Sequence, residues 1–503
     1  MSAMSAKRPV RSLALVLLAA SCGGLYKSQG AMAPAPRYAI ADRTTAESYH
    51  DWGKNPWVDA AKDHLSTFAA DVDTASYTIA RRKLDEGTLP PAEAVRVEEF
   101  VNYFRYAFPE PAAGSPFAVI MDAAPSPVSP DHTILRVGVG TKPRPPGDHK
   151  PARLVFLVDV SGSMNSADKL PLAKQSLKIL TNNLGPRDSV SLVTYAGSTR
   201  VVLPPTGMDG KHRILAAIDE LGAGGSTAMA SGLDLAYAQA MLGLEPGVTS
   251  RVIVCTDGDT NVGPTSMEEI QRIIASRAKA GLTLSMVGFG MGNYKDALME
   301  QLADKGNGNN FYIDSLAAAK KVFQDQLGAN LEVVAKDVKL QVDFDPSLVA
   351  KYRLVGYENR TVANDDFRKD AVDAGEIGPG HQVTAMYELE LTAQARLAPA
   401  PLGLVRIRHK APEGIDAATE HTFAMAAPPA PSFEAASPDL QFAFAVSAFA
   451  DLLRGQDDAK RWSLEAIEQV ARATAGDDPD RGELVSLIDK ARRLRGSAAT
   501  VAR

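Results

Sequence analysis

Residues 154–164 read Leu154-Val155-Phe156-Leu157-Val158-Asp159-Val160-Ser161-Gly162-Ser163-Met164. An apolar strand ends in a carboxylate, and two hydroxyls follow at alternate positions. Asp-x-Ser-x-Ser is a set of hard oxygen donors suited to a small divalent cation. The set carries little negative charge, so a metal held there would still take an anionic ligand from outside.

Around this run, strands and helices alternate, which predicts a parallel sheet covered on both faces. Strands are expected at Arg153–Val158, Ser189–Ala196, Arg251–Thr256, Thr283–Gly288 and Asn310–Ile313, with a short edge strand at Arg200–Leu203. Helices are expected at Lys169–Leu184, Lys211–Leu221, Ala228–Leu242, Ser266–Ala280, Asp296–Ala303 and Leu316–Leu331. The expected fold class is thus α/β, an open parallel sheet over about residues 151–332.

The flanks differ. Residues 59–150 carry two helical patterns, Thr74–Glu86 and Glu93–Phe104, split by Leu89-Pro90-Pro91, and then strands at Phe117–Met121 and Thr133–Val139. Residues 333–426 return to short alternating strands, such as Asp337–Phe344 and Val383–Leu391, and read as a β-sandwich-like module. The strands near 117 and 135 are candidates to complete it, which would make the α/β segment an insertion. After the linker Ala427-Pro428-Pro429-Ala430-Pro431, residues 427–503 hold amphipathic helices at Asp439–Leu453, Ser463–Ala473 and Gly482–Leu494.

In an open parallel sheet, ligands bind beyond the carboxyl ends of the strands, near the switch in strand order. Two further loops are expected at that edge: Gly224-Gly225-Ser226-Thr227, and Thr256-Asp257-Gly258-Asp259-Thr260-Asn261. Asp-x-Ser-x-Ser, a Thr in a Gly-rich loop and an Asp after the fourth strand resemble the metal-ion-dependent adhesion site of von Willebrand factor type A domains. The resemblance implies a Rossmann-like von Willebrand A fold with Asp159, Ser161, Ser163, Thr227 and Asp257 as metal residues. In that family the hydroxyls ligate directly and the aspartates bind directly or through water. Mg²⁺ or Mn²⁺ is the implied ion.

The resemblance reaches further. Asp71-Val72-Asp73-Thr74-Ala75-Ser76-Tyr77, Glu98-Glu99-Phe100-Val101-Asn102-Tyr103-Phe104 and Gly356-Tyr357-Glu358-Asn359-Arg360 are similar to segments of a family of bacterial cell-envelope von Willebrand A proteins. That family has its own N-terminal module and a C-terminal region of unknown function.

The start of the chain bears on location. Lys7, Arg8 and Arg11 precede the apolar stretch Leu13–Ala20, the layout of a secretory signal. Leu18-Ala19-Ala20-Ser21-Cys22-Gly23 resembles a bacterial lipoprotein signal, with residues 1–22 ending at a lipidated Cys22. Residues 23–58, rich in Ala, Pro, Ser and Gly, read as a tether lifting the body off the membrane. The expected location is the cell envelope, at the outer membrane if the cell is Gram-negative. Of the two cysteines the other, Cys255, lies in an apolar strand and reads as a buried, inert thiol.

Composition narrows the function classes. The chain has 503 residues, 45% apolar and 23% charged, so several soluble domains are expected. A net charge of −6 without a basic block argues against nucleic acid. No zinc spacing and no phosphate-binding Gly-rich loop occurs, and neither nucleotide nor nucleic acid is an expected partner.

The expected function is non-enzymatic: capture of a protein ligand through a cation that receives its Asp or Glu carboxylate, with the membrane reached through the N-terminal lipid. Two alternatives stand beside it. An Mg²⁺-dependent phosphatase or phosphotransferase typically adds a second Asp two residues after the first, where this chain has Ser161. It also needs a catalytic Lys, and Lys169 reads as a helix-opening residue facing solvent. A metal-independent scaffold is the other. Asp71 and Asp73 are expected to cap and be solvated. Asp259 and Asn261 are expected to form the turn. Tyr103, Phe104, Tyr106 and Phe108 are expected in the core.

Overall fold

A computed structural model describes residues 47–145, 148–259, 264–412, 417–455 and 463–501. Cys22, the segment expected to be its signal, the part of the expected tether up to residue 46, and Asn261 lie outside the described residues.

The run that decides the fold is the strand Ala152–Asp159, at the centre of a six-stranded sheet. Its neighbours are Ser189–Tyr195 on one side and Thr249–Thr256 on the other, both parallel to it. Thr283–Phe289 and Asn310–Ile313 continue the parallel order beyond Thr249–Thr256. Thr199–Gly207 closes the opposite edge antiparallel to Ser189–Tyr195. The period of two divides the central strand between two cores. Leu154, Phe156 and Val158 pack under the helices Leu170–Asn183 and Lys211–Asp219. Val155 and Leu157 pack under Met229–Met241, Pro264–Lys279 and Asp296–Lys305. Helices thus cover both faces, as the sequence predicts for this fold class. Cys255 is fully buried in the first core, and burial pushes its thiol well above the ordinary value.

The α/β segment interrupts a pair of antiparallel sheets. One has the order Val58–Asp59, Val349–Val355, Gln382–Leu391, His132–Thr141, Phe117–Pro125. The other has the order Gly375–Ile377, Ala335–Phe344, Gly403–Lys410, Thr419–Ala424, and Leu65–Ala69 also pairs with Ala335–Phe344. Strands from before residue 152 and after residue 331 share both sheets and one core, which includes Leu135, Val137, Leu340, Val383 and Val405. The helices Pro438–Leu453, Leu464–Thr474 and Pro479–Val501 pack with Ala75–Asp85 and Val97–Tyr103 in a fourth core. Tyr103, Phe104 and Tyr106 are buried there, with Phe108 half-buried against it.

Several elements depart from the sequence reading. Residues 47–58 are not a free tether. Glu47 pairs with Lys83 at 3.0 Å, the Ser48 amide donates to the Tyr294 carbonyl, and Val58–Asp59 joins a sheet. The helix expected over 93–104 is a short turn at Ala92–Ala94 followed by Val97–Tyr103. Arg96 is extended between them because its guanidinium is buried against Glu99 and Asp296. The helix expected over 316–331 breaks at a wide turn, Lys321–Asp325, where the Gln326 amide bonds to the carbonyl of Lys321, five residues back.

Asp71 and Asp73 are buried rather than solvated. Arg360 meets both, at 3.1 and 3.3 Å, and also reaches Glu300 at 3.1 Å and Asp304 at 2.7 Å on the helix Asp296–Lys305. A cation for the two aspartates is supplied by the chain itself, from a residue 289 positions from Asp71 in sequence.

Candidate metal centre

Asp159 ends the central strand where chain connections leave in opposite directions, the crevice in which open α/β sheets bind ligands. Its Oδ1 accepts the Ser161 amide at 2.9 Å and its Oδ2 accepts the Thr256 hydroxyl at 3.2 Å. These bonds turn the chain so that Ser161 and Ser163 face each other, with Oγ atoms 3.0 Å apart. Asp159 and Ser161 are buried; Ser163 is partly open.

The Gly-rich loop is tied to this turn through its backbone. The Gly224 amide donates to the Val160 carbonyl at 2.7 Å, and the Gly162 amide donates to the Gly225 carbonyl at 3.0 Å. Gly225 has φ +90°, and a Cβ there would come 3.0 Å from the Gly197 nitrogen, so a side chain would be both strained and crowded. Thr227, half-buried, lies two residues beyond Gly225 in the chain.

Asp257 follows the adjacent strand and is fully buried. Its Oδ1 accepts the Asp259 amide at 3.0 Å. Its Oδ2 accepts Lys169 Nζ at 2.9 Å and Asn293 Nδ2 at 3.1 Å. Lys169 is buried too, not the solvent-facing residue its place at a helix start suggests. Neither Lys169 nor Asn293 is legible as a site residue in the sequence, because both come from other loops and carry no motif.

The two carboxyls differ electrostatically. Burial raises the Asp159 carboxyl above the usual value, and Asp257 adds to this against the opposing bonds to Ser161 and Thr256. Burial acts the same way on Asp257, but the bonds from Lys169, Asp259 and Asn293 outweigh it and hold that carboxyl below the usual range.

The donor set fits a small hard cation. In an octahedron with bonds of about 2.0–2.1 Å, neighbouring ligand oxygens stand roughly 2.9 Å apart, close to the serine separation seen here. Among the described residues no group of three or more His, Cys, Asp or Glu side chains is placed to hold a metal. Among the same residues no helix is long and apolar enough to cross a membrane.

Comparison with known proteins places these features in a context. The von Willebrand factor type A domain model matches residues 154–325. A model described as von Willebrand factor matches residues 43–136, and one described as the C-terminal part of the uncharacterized protein YfbK matches residues 329–494. The Escherichia coli K12 protein YfbK is 39% identical over 497 residues, covering 92% of this chain and 85% of its own. The magnesium-chelatase 67 kDa subunit of Chlorobaculum tepidum is 29% identical over 185 residues, 33% of this chain and 29% of that protein. Among solved structures, a von Willebrand factor type A protein from Catenulispora acidiphila is 17% identical with a TM-score of 0.42, covering 78% of this chain and 89% of that one.

Proposed function

We propose that this chain, which belongs to the YfbK family of von Willebrand factor type A proteins, is a lipid-anchored cell-envelope protein that binds a protein ligand through a divalent cation. Asp159, Ser161, Ser163, Thr227 and Asp257 would hold Mg²⁺ or Mn²⁺, and the ligand's Asp or Glu carboxylate would complete the coordination. The observation that carries this reading is the facing pair of serine hydroxyls, 3.0 Å apart, beside two buried aspartates at the switch point of the sheet. Three of these five donors are neutral hydroxyls, and an incoming carboxylate would gain a strong charge-assisted contact with the cation. Lipidation at Cys22 would place the centre outside the cytoplasm, away from nucleotides.

One observation favours a second reading. Lys169 beside Asp257 supplies the ammonium that a phosphotransferase would use. Against it, the position two residues after Asp159 is Ser161, which lacks an acid for the leaving group.

Pull-down from envelope extract with the full-length protein as bait, in Mg²⁺ and in EDTA, tests the reading. Partners retained in Mg²⁺ and lost in EDTA and with Asp159→Asn support it. Equal capture in all three favours a metal-independent scaffold. Phosphomonoester turnover that disappears in Asp159→Asn would instead favour the enzyme.

A further inference from the structure

Lys169 is not one of the five residues proposed to hold the cation, yet its placement is elaborately built. Its ammonium reaches Asp257 Oδ2 at 2.9 Å and Asn293 Oδ1 at 3.2 Å. Its aliphatic stem crosses Gly290, which has φ +70°; a Cβ there would collide with Cγ and Cε of the lysine. The Gly290 carbonyl is fixed by the Tyr312 hydroxyl, which donates to it at 3.0 Å. Arg82, on the helix Ala75–Asp85, donates to that same hydroxyl at 2.7 Å and pairs with Asp168, next to Lys169, at 2.8 Å. Glu47 accepts the Gly292 amide at 2.7 Å, so the start of the described chain secures the loop that carries Asn293.

The consequence is electrostatic. Asp159 and Asp257 together would cancel the charge of a divalent cation. The buried ammonium on Asp257 leaves one positive charge in excess, at a distance where charge interactions in a poorly hydrated site are strong. We propose that Lys169 is a built-in counter-cation of the metal centre: it neutralises Asp257 before the metal enters, weakens affinity for the metal alone, and makes retention of the metal depend on an anionic partner. This deepens the reading above and rests on it. It names Lys169 as a residue that sets affinity through Asp257 without itself ligating the ion. Metal and carboxylate then bind cooperatively, since each offsets charge that disfavours the other.

The test is Mn²⁺ titration calorimetry on the full-length protein in detergent, for wild type, Lys169→Met and Lys169→Gln, with and without added acetate. Lys178→Met is the control: it removes the same charge within the helix that Lys169 immediately precedes, at a residue that pairs with Asp219 instead. Thermal melting without metal reports whether each variant is folded. The neutral Lys169 variants are expected to bind Mn²⁺ about tenfold more tightly than wild type, with Lys178→Met unchanged. Acetate is expected to tighten binding to wild type by a larger factor than to the variants. Equal or weaker Mn²⁺ affinity in both neutral variants overturns the inference while leaving the metal centre standing. Binding that appears only in the variants supports the inference in its strongest form. No Mn²⁺ binding by any of the proteins overturns the metal centre and the inference with it.

Discussion

The Ser161 and Ser163 hydroxyl oxygens stand 3.0 Å apart, held there by a turn whose first bond runs from the Ser161 amide to the Asp159 carboxylate. If a cation uses both, losing either hydroxyl removes a ligand without disturbing a packed core. Ser163→Ala, at the partly open position, is therefore expected to melt within about 0.5 kcal/mol of wild type in EDTA, and Ser161→Ala, at the buried one, to lose about 1 kcal/mol. Both are expected to lose most of the stabilisation by Mg²⁺. Melting curves with and without the ion measure both effects. A full metal response in the double variant would exclude the serines as ligands.

Arg360 is a charge that joins the β-module to the α/β segment. Arg360→Met would leave Asp71, Asp73, Glu300 and Asp304 without it, three of them buried. Removing one partner from a buried ion pair typically costs about 3–5 kcal/mol, far more than a surface charge is worth. Denaturant unfolding is expected to show a loss of that order, and a second transition if the α/β segment separates from the flanks.

Glu98 makes stability depend on pH. Its Oε2 accepts the Tyr357 amide at 2.9 Å, while its Oε1 is buried with no hydrogen-bond partner among the described groups. Burial, with the nearby Glu358 and Asp71, raises its carboxyl from 4.5 to about 7. A raised carboxyl favours the folded state when protonated. Its contribution is complete below the unfolded value of 4.5 and is lost as pH rises toward about 7. Glu98→Gln is expected to remove this slope and to gain about 1–3 kcal/mol relative to wild type at neutral pH. Unfolding free energies across that window would show it, and an unchanged slope would count against the assignment.

Gly290 offers a route to Lys169 that leaves the lysine in place. Gly290→Ala combines a positive φ with a collision against the lysine stem. It is expected to destabilise by about 1–3 kcal/mol and to displace the ammonium from Asp257. Metal affinity should then move in the direction expected for Lys169→Met. A crystal structure of the variant with the 2.9 Å contact intact would contradict this.

The elements that were legible in the sequence are those whose signal is local. The run 154–164 has its strand, turn and donors within eleven residues, so period and spacing suffice. The loops at 224–227 and 256–259 were readable because each directly follows or precedes a strongly periodic element. What the sequence did not show depends on pairs far apart in the chain. Lys169 looks like any lysine at a helix start until the pairing of Ala152–Asp159 with Thr249–Thr256 brings Asp257 to it, 88 residues away. Asp71 and Asp73 resemble capping residues until Arg360 arrives from the β-module. The broken helix at 93–104 likewise answers to the tertiary partners of Arg96, which propensity does not contain.

The most direct test is Mg²⁺- and Mn²⁺-dependent thermal stabilisation of the full-length protein, wild type against Asp159→Asn and Asp159→Ala. The expected result is a wild-type stabilisation that grows with ion concentration, about 2.7 kcal/mol at a hundredfold excess over the dissociation constant, and is absent from both variants. A wild type that does not respond to either ion, or a response that survives in Asp159→Ala, would contradict the metal centre.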